Sequence, residues 1–219
     1  MKRLVAGRKH RQILFSDEKI FTMEPIRNQQ NHREWLLQGS PRTVNVQKSH
    51  FPKSIMVWAG VSALGNTKLH FFDQKKRFNA VGYQTKILEG VMKPWAKKNT
   101  SGIQWIYQQD GAPTHSANTT LNWFHDPTKW SPAPAPVVWD KNIWPPHSPD
   151  LNPLDFSVWS ILGEKISGKR FETVESLKCA LQKAWKEISS ELTIRIVDQF
   201  PKRFQACINA EGGHFKQCL

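Results

Sequence analysis

The stretch Trp144–Trp159, WPPHSPDLNPLDFSVW, carries two aspartates, Asp150 and Asp155, five positions apart. Prolines crowd the first, and an apolar, aromatic run follows the second. Proline fixes φ and donates no backbone hydrogen bond, so the first half cannot be regular helix or ladder. From Asp155 onward the pattern turns helical, through Phe156, Trp159 and Gly163. The stretch reads as a rigid turn that feeds a helix. An aspartate in either place is most simply a turn or cap residue. Asp150 suits that reading well, because its carboxylate can bond nearby backbone amides. Whether either carboxylate is chemical depends on the partners that the rest of the chain supplies.

Upstream, GIQWIYQQD reads as a strand that ends at Asp110. RQILFSDEKIF reads as another, with Ile13, Phe15 and Asp17 on one face. SIMVWAGVSA is apolar almost throughout, as a strand buried on both faces would be. The Gly65–Asn66 turn and TKLHFF then complete an antiparallel meander. Asn79 is placed to cap a helix whose Tyr83, Ile87, Val91 and Trp95 recur at helical spacing, with Pro94 limiting its far end. A strand, a helix and a strand in that order make a crossover into a parallel neighbour. THSANTTLNWF reads as a short helix, and DPTKWSPAPAPVVWD as a proline-studded loop closing on a short strand, Val137–Trp139.

Downstream, Leu177, Leu181, Trp185 and Ile188 form one apolar stripe. A last helical stretch holds Ile194, Val197, Phe200, Phe204 and Ile208, kinked or restarted at Pro201 and ended by Gly212 and Gly213. The sum is an α/β domain with a mixed five-stranded sheet flanked by helices and no internal repeat. A polar segment over residues 24–53, rich in Asn, Gln, Arg and His, interrupts it as an extended arm.

The chain has 219 residues and 39% apolar content, enough for one sizeable core. Its formal net charge is +13, which favours a polyanionic partner, most simply nucleic acid. Three cysteines, Cys179, Cys207 and Cys218, are odd in number and widely spaced, and form neither a zinc pattern nor a disulfide framework. The longest apolar stretch is too short to span a bilayer, and the basic N-terminus lacks an apolar signal region. These features lead to the expectation of a soluble intracellular protein.

Asp17 lies within the first strand, Asp110 ends the fourth and Asp155 opens a helix, and strand ends are where ligand groups gather in open α/β sheets. Carboxylates brought together repel, each pair by on the order of 4 kcal/mol at about 4 Å and an effective dielectric of about 20. Protonation, a basic side chain or a bound divalent cation must offset that. Mg²⁺ takes oxygen ligands, and two such ions can clamp the attacking and leaving oxygens of a phosphodiester.

Four segments, ILFSDEKIF, IYQQDGAPTH, WPPHSPDLNPLDFSVW and FPKRFQACINAEGGH, come in the order, and at nearly the places, of the Tc1/mariner transposase catalytic domain. The resemblance implies an RNase H-like fold over residues 12–219, preceded by a basic linker remnant at 1–11. It implies an acidic triad of Asp17, Asp110 and Asp155, holding two Mg²⁺ or Mn²⁺ ions, and so favours Asp155 over Asp150. It implies a DNA transposase that hydrolyses phosphodiesters at transposon ends and transfers the strand into a TA target, in the nucleus. The partners so implied are double-stranded DNA and a second copy of the chain. The arm matches the family's clamp loop, which reaches a partner subunit, and its Arg27, Arg33, Arg42, Lys48 and Lys53 could track phosphates. His115 is a further candidate to approach the scissile phosphate. Trp105, Trp123 and Trp159 read most simply as core.

Two departures stand out. Forty-four residues separate Asp110 from Asp155. That is about ten more than the family's usual spacing, an excess a surface loop absorbs cheaply because closure entropy grows slowly with length. Second, the family carries paired helix-turn-helix modules ahead of this domain, and the chain reads as the catalytic half alone. Two other readings stand beside this one. Another nuclease of the same fold would share the acids but not the SPDLNP turn, and an inactive remnant would bind DNA or dimerise without cutting.

Overall fold

The computed structural model describes residues 6–23, 53–73, 78–131, 133–213 and 215. A mixed five-stranded sheet in the order β3-β2-β1-β4-β5 runs through its centre. The middle strand, β1 (Ile13–Thr22), pairs antiparallel with β2 (Ser54–Val61), from Phe15↔Val61 to Thr22↔Ser54. On its other edge β1 pairs in parallel with β4 (Ile106–Gln108), which pairs in parallel with β5 (Val137–Trp139). The third strand, β3 (His70–Phe71), is shorter than TKLHFF suggests. Ahead of it Thr67 takes over the pairing with its side chain, its hydroxyl accepting from Gly60 N at 2.9 Å.

The crossover from β3 to β4 is one helical unit, α1, built of Ala80–Gly82, a π-helical run Tyr83–Met92 and Lys93–Asn99. Asn79 caps it as expected, accepting from Gly82 N at 2.9 Å. Pro94 does not end the helix. It falls in the first turn of the last segment, where the π register gives way to the α register and a missing N–H is tolerated. Two short helices, α2 (Pro113–Ser116) and α3 (Asn118–His125), follow β4. The proline-rich loop is pinned where Trp105 Nε1 donates to Pro134 O at 2.9 Å.

The pleat of β1 divides the core. Ile13 and Phe15 belong to one apolar cluster with Val57, Ala59 and Val61 of β2, whereas Leu14 joins Trp58, Tyr83 and Trp105 in the other. Burial on both faces explains why β1 and β2 read as nearly unbroken apolar runs. The first cluster is completed by α4 (Trp159–Ile166), α5 (Val174–Lys186), α6 (Ser190–Val197) and α7 (Phe200–Asn209). Leu177, Leu181, Trp185 and Ile188 are all buried, as their spacing predicts. The last stretch is two helices, with the restart at Phe200 and Pro201 in the first turn.

Phe200 is fully buried beside Phe15 (ring centroids 5.0 Å apart) and is stacked near Trp144. It thereby joins the C-terminal helices to the strand and turn that carry the aspartates. Asp198 accepts from Arg11 at 2.9 and 2.6 Å and pairs with His10 at 2.9 Å, tying the two ends of the domain together.

Two stability predictions follow from this packing. Phe200→Ala should cost about 3–5 kcal/mol, as truncation of a buried aromatic does, measured by urea denaturation. The Arg11 hydrogen bond holds Asp198 down at about 2. A depressed carboxylate stabilises the fold above its unfolded pKa of about 4 and loses that contribution as pH falls towards 2. Asp198→Asn should therefore lower the melting temperature at pH 7 and leave a flatter profile between pH 4 and pH 2.

Candidate active site

The register of β1 and β4 brings two aspartates side by side. Phe15 pairs with Gln108, and two residues further along stand Asp17, still within β1, and Asp110, just past the end of β4. Both therefore emerge at the C-terminal edge of the parallel pair. The SPDLNP turn delivers the third. Pro149–Leu151 forms one 3-10 turn, and Leu154–Val158 is a π-helical turn that runs directly into α4. Asn152 is the hinge pin between them. It is 4% exposed, donates from Nδ2 to Ser16 O at 3.0 Å, and accepts from Leu154 N at 3.0 Å. The turn is thus fastened to the residue immediately before Asp17. Arg203 of α7 fastens it from behind, donating to Asp150 O at 3.2 Å with its guanidinium 3.9 Å above the Phe156 ring.

Asp17, Asp110 and Asp155 line one open cavity of about 490 Å³, together with Lys141 and the prolines of the turn. Asp150 is not in that lining. Burial, and then the charge of Asp155, push the Asp17 carboxyl up to about 7, although the Trp159 indole donates to it at 2.6 Å. Burial likewise raises Asp155, with Lys19 opposing. The two carboxyls form a coupled pair that resists carrying two negative charges.

Asp110 is in the opposite condition. Its Oδ1 lies 2.6 Å from His115 Nδ1 and accepts from Ala112 N at 2.9 Å, and these contacts, His115 first, hold it below its ordinary value. The His115 side chain is 5% exposed, and its Nε2 lies 3.5 Å from Glu18 Oε1. Burial alone would pull His115 down, but Asp110 and Glu18 outweigh it and raise the imidazole to about 9. Its ring also packs on Tyr83 at 4.3 Å.

Beneath these groups runs a satisfied polar layer. Ser16 Oγ donates to Gln108 O, the Tyr107 and Tyr83 hydroxyls meet at 2.8 Å, Tyr83 donates to Gln109 Oε1, and Gln109 Nε2 donates to His115 O. Burial raises both tyrosines above their ordinary range, so they stay neutral donors.

Among the described residues no group of three or more His, Cys, Asp or Glu side chains stands ready to hold a metal ion. Asp17 and Asp155 form a pair, while Asp110 faces the same cavity with its Oδ1 held by His115. The arm residues Arg27, Arg33, Arg42 and Lys48 lie outside the described residues, and Lys53 is exposed. Trp105 and Trp123 are core residues, whereas Trp159 is both core and a hydrogen-bond donor to Asp17. The roles of Asn152, Glu18 and Arg203 escape a reading of the sequence. Only the spacing of Asn152 ahead of a proline hints at a turn-forming amide.

No protein-family profile matches the chain. It is 33% identical over 128 residues to the transposable element Tcb1 transposase of Caenorhabditis briggsae, a match covering 58% of this chain and 42% of that protein. It is 29% identical over 178 residues to the Tc1 transposase of Caenorhabditis elegans, covering 79% and 58%. The matches thus span about half the length of these curated relatives. Among solved structures, a Mos1 transposase paired-end complex with a left transposon end superposes with a TM-score of 0.81 at 22% identity, covering 98% of this chain and 60% of that one. The Mos1 catalytic domain superposes at 0.71 and 18%, with 89% of that domain covered. The fold is therefore RNase H-like, with the mixed sheet that the sequence leads one to expect. In sequence the chain is similar to Tc1/mariner transposases, and its architecture is the fold of the Mos1 catalytic domain.

Proposed function

We propose that the chain performs the chemistry of a cut-and-paste DNA transposase: metal-dependent hydrolysis of phosphodiesters at transposon ends, then transfer of the freed 3′ ends into target DNA at TA. The observation that carries this reading is the convergence of Asp17, Asp110 and Asp155 on one open cavity just beyond the parallel pairing of β1 and β4. Its partners would be double-stranded DNA and a second copy of the chain, in keeping with the paired-end complexes of the similar Mos1 structures.

The donor set fits hard divalent cations. It consists of carboxylate oxygens alone, and the Asp17–Asp155 pair gains from any positive charge placed between its members. Similar Mos1 structures include complexes with Mn and with Mg. Asp17, Asp110 and Asp155 would hold two such ions. Bound there, the ions would supply Lewis-acid charge for activating water and for offsetting negative charge on the reacting phosphate.

The protein's own groups do the positioning. Trp159 holds Asp17 by its Oδ2, and Asn152 sets the turn that carries Asp155 against β1. His115 and Ala112 both bond Asp110 through Oδ1, which leaves Oδ2 for a cation. Lys141 in the cavity lining would draw the phosphodiester toward the acids. The net charge of +13 would hold the DNA.

In Mn²⁺ the purified chain should nick supercoiled DNA, and Asp110→Ala should abolish nicking with an unchanged circular dichroism spectrum. Equal nicking by the variant would overturn the assignment. Asn152→Ala should keep the fold but reduce nicking about 10–100-fold, the usual cost of losing an outer support of a metal site. That loss should shrink at high Mn²⁺ if the defect lies in cation affinity.

The metal-free protein should also show a sign-specific pH dependence. A raised carboxyl favours the folded state when protonated, so its contribution is complete below pH 4 and is lost as pH rises through about 7. Without divalent cations, Asp17→Asn should stabilise the protein at pH 8, by on the order of a few kcal/mol, and do little at pH 4. Thermal melts in EDTA would read this directly.

A further inference from the structure

Across Asp155 from the carboxylate cavity lies a second hollow, about 340 Å³, between the outer half of β1 and helix α4. Asp155 lines both, so the two spaces meet at this carboxylate. Phe21, Trp159 and Phe171 give the second space an aromatic lining, and the exposed Lys19 and Lys169 add positive charge. Gly163, midway along α4, opens onto it. A Cβ at Gly163 would meet no heavy atom within 4 Å. Glycine inside a helix costs about 1 kcal/mol relative to alanine, and no neighbouring atom of this chain requires it here.

We infer that this groove binds one unstacked nucleotide of a DNA strand, adjacent to the phosphodiester held at the aspartates. The inference rests on the DNA-cleaving function proposed above. The volume lies at the small end of pockets for compact ligands and is too small for a duplex. Phe21 and Trp159 are 7% and 3% exposed and floor the groove, which leaves the half-buried Phe171 as the ring on which any base can stack without its sequence being read. Two lysines contact phosphate with the same indifference. Glu164, the other carboxylate of the lining, can accept from the amino group of adenine, cytosine or guanine, a contact that thymine lacks. The junction at Asp155 sets the bound nucleotide beside the reacting bond. A nucleotide peeled from its partner beside the carboxylate cavity would find in this groove a place to rest.

The test measures fluorescence anisotropy of labelled single-stranded hexathymidylate with the full chain in Ca²⁺ buffer. The parent chain should bind. Gly163→Met fills the groove while favouring the helix, and should weaken binding at least fivefold. The pair Lys19→Gln and Lys169→Gln should weaken it too, and lower the slope of log affinity against log salt by about 0.7 per lysine. Melting temperatures distinguish these effects from unfolding, and the lysine pair decides should Gly163→Met fail to fold. No binding by the parent, or parent-like binding by both folded variants, overturns the groove. If Asp110→Ala still nicks DNA, the transposase chemistry fails while the groove stands. If it loses nicking but Gly163→Met and the lysine pair bind normally, only the groove fails.

Discussion

Two like charges are held together inside this protein, and the arrangement around Asp17 and Asp155 exists to keep them there. Burial disfavours the ionised form of both carboxyls, and the charge of Asp155 adds to this at Asp17. Their separation is prevented from two sides. Asp17 sits in the middle strand, paired with Ala59 of β2 and two residues beyond the last parallel pair with β4. Asp155 rides on a helix whose entrance is clamped to that strand by Asn152 and to α7 by Arg203. The prolines on either side of Asp150 remove the freedom by which the turn could relax. The strain is electrostatic, and it is carried by a scaffold that has few ways to move.

The third aspartate obeys a different rule. Asp110 is kept ionised by His115, while Asp17 and Asp155 are kept toward neutrality chiefly by burial, with the charge of Asp155 adding to the effect at Asp17. Environments that push titratable groups apart in this way assign them unequal tasks. A cation arriving at the pair must displace a proton, whereas at Asp110 it meets a carboxylate already charged. His115 owes its character to the opposite face of the sheet, where Glu18 and the polar layer through Tyr83 and Gln109 hold it. The even-numbered residues of β1 therefore tune the second acid, while the odd-numbered residues present the first.

The strands and the order of the elements were legible because their periodicities are strong. β1 and β2 bury apolar residues on both faces, and the stripe Leu177, Leu181, Trp185, Ile188 admits one helical reading. Pro94 misled because a π-to-α junction tolerates proline, and i→i+5 pairing leaves no distinct mark in sequence. Asp110 and Asp155 stood out through their places beside element ends, and all three aspartates through family resemblance. Their supports did not. Asn152, Glu18 and Arg203 act through contacts with residues 136, 97 and 53 positions away. No local pattern encodes such pairings, and a lone buried histidine such as His115 reads the same whether it touches substrate or a neighbouring carboxylate.

The contrast between a basic chain and an acidic cavity sorts the forces by range. At physiological salt a surface charge is felt over about 8 Å, so the excess of lysine and arginine acts on DNA wherever it touches the protein. The aspartates act only within their own cavity, and there they repel the phosphate that the surface attracts. In the proposed reaction, holding DNA and admitting a phosphodiester to the acids are therefore separate events with separate requirements. The first needs only the surface charge. The second waits until cations reverse the local sign, so the same carboxylates that hold the ions also exclude the substrate when the ions are missing.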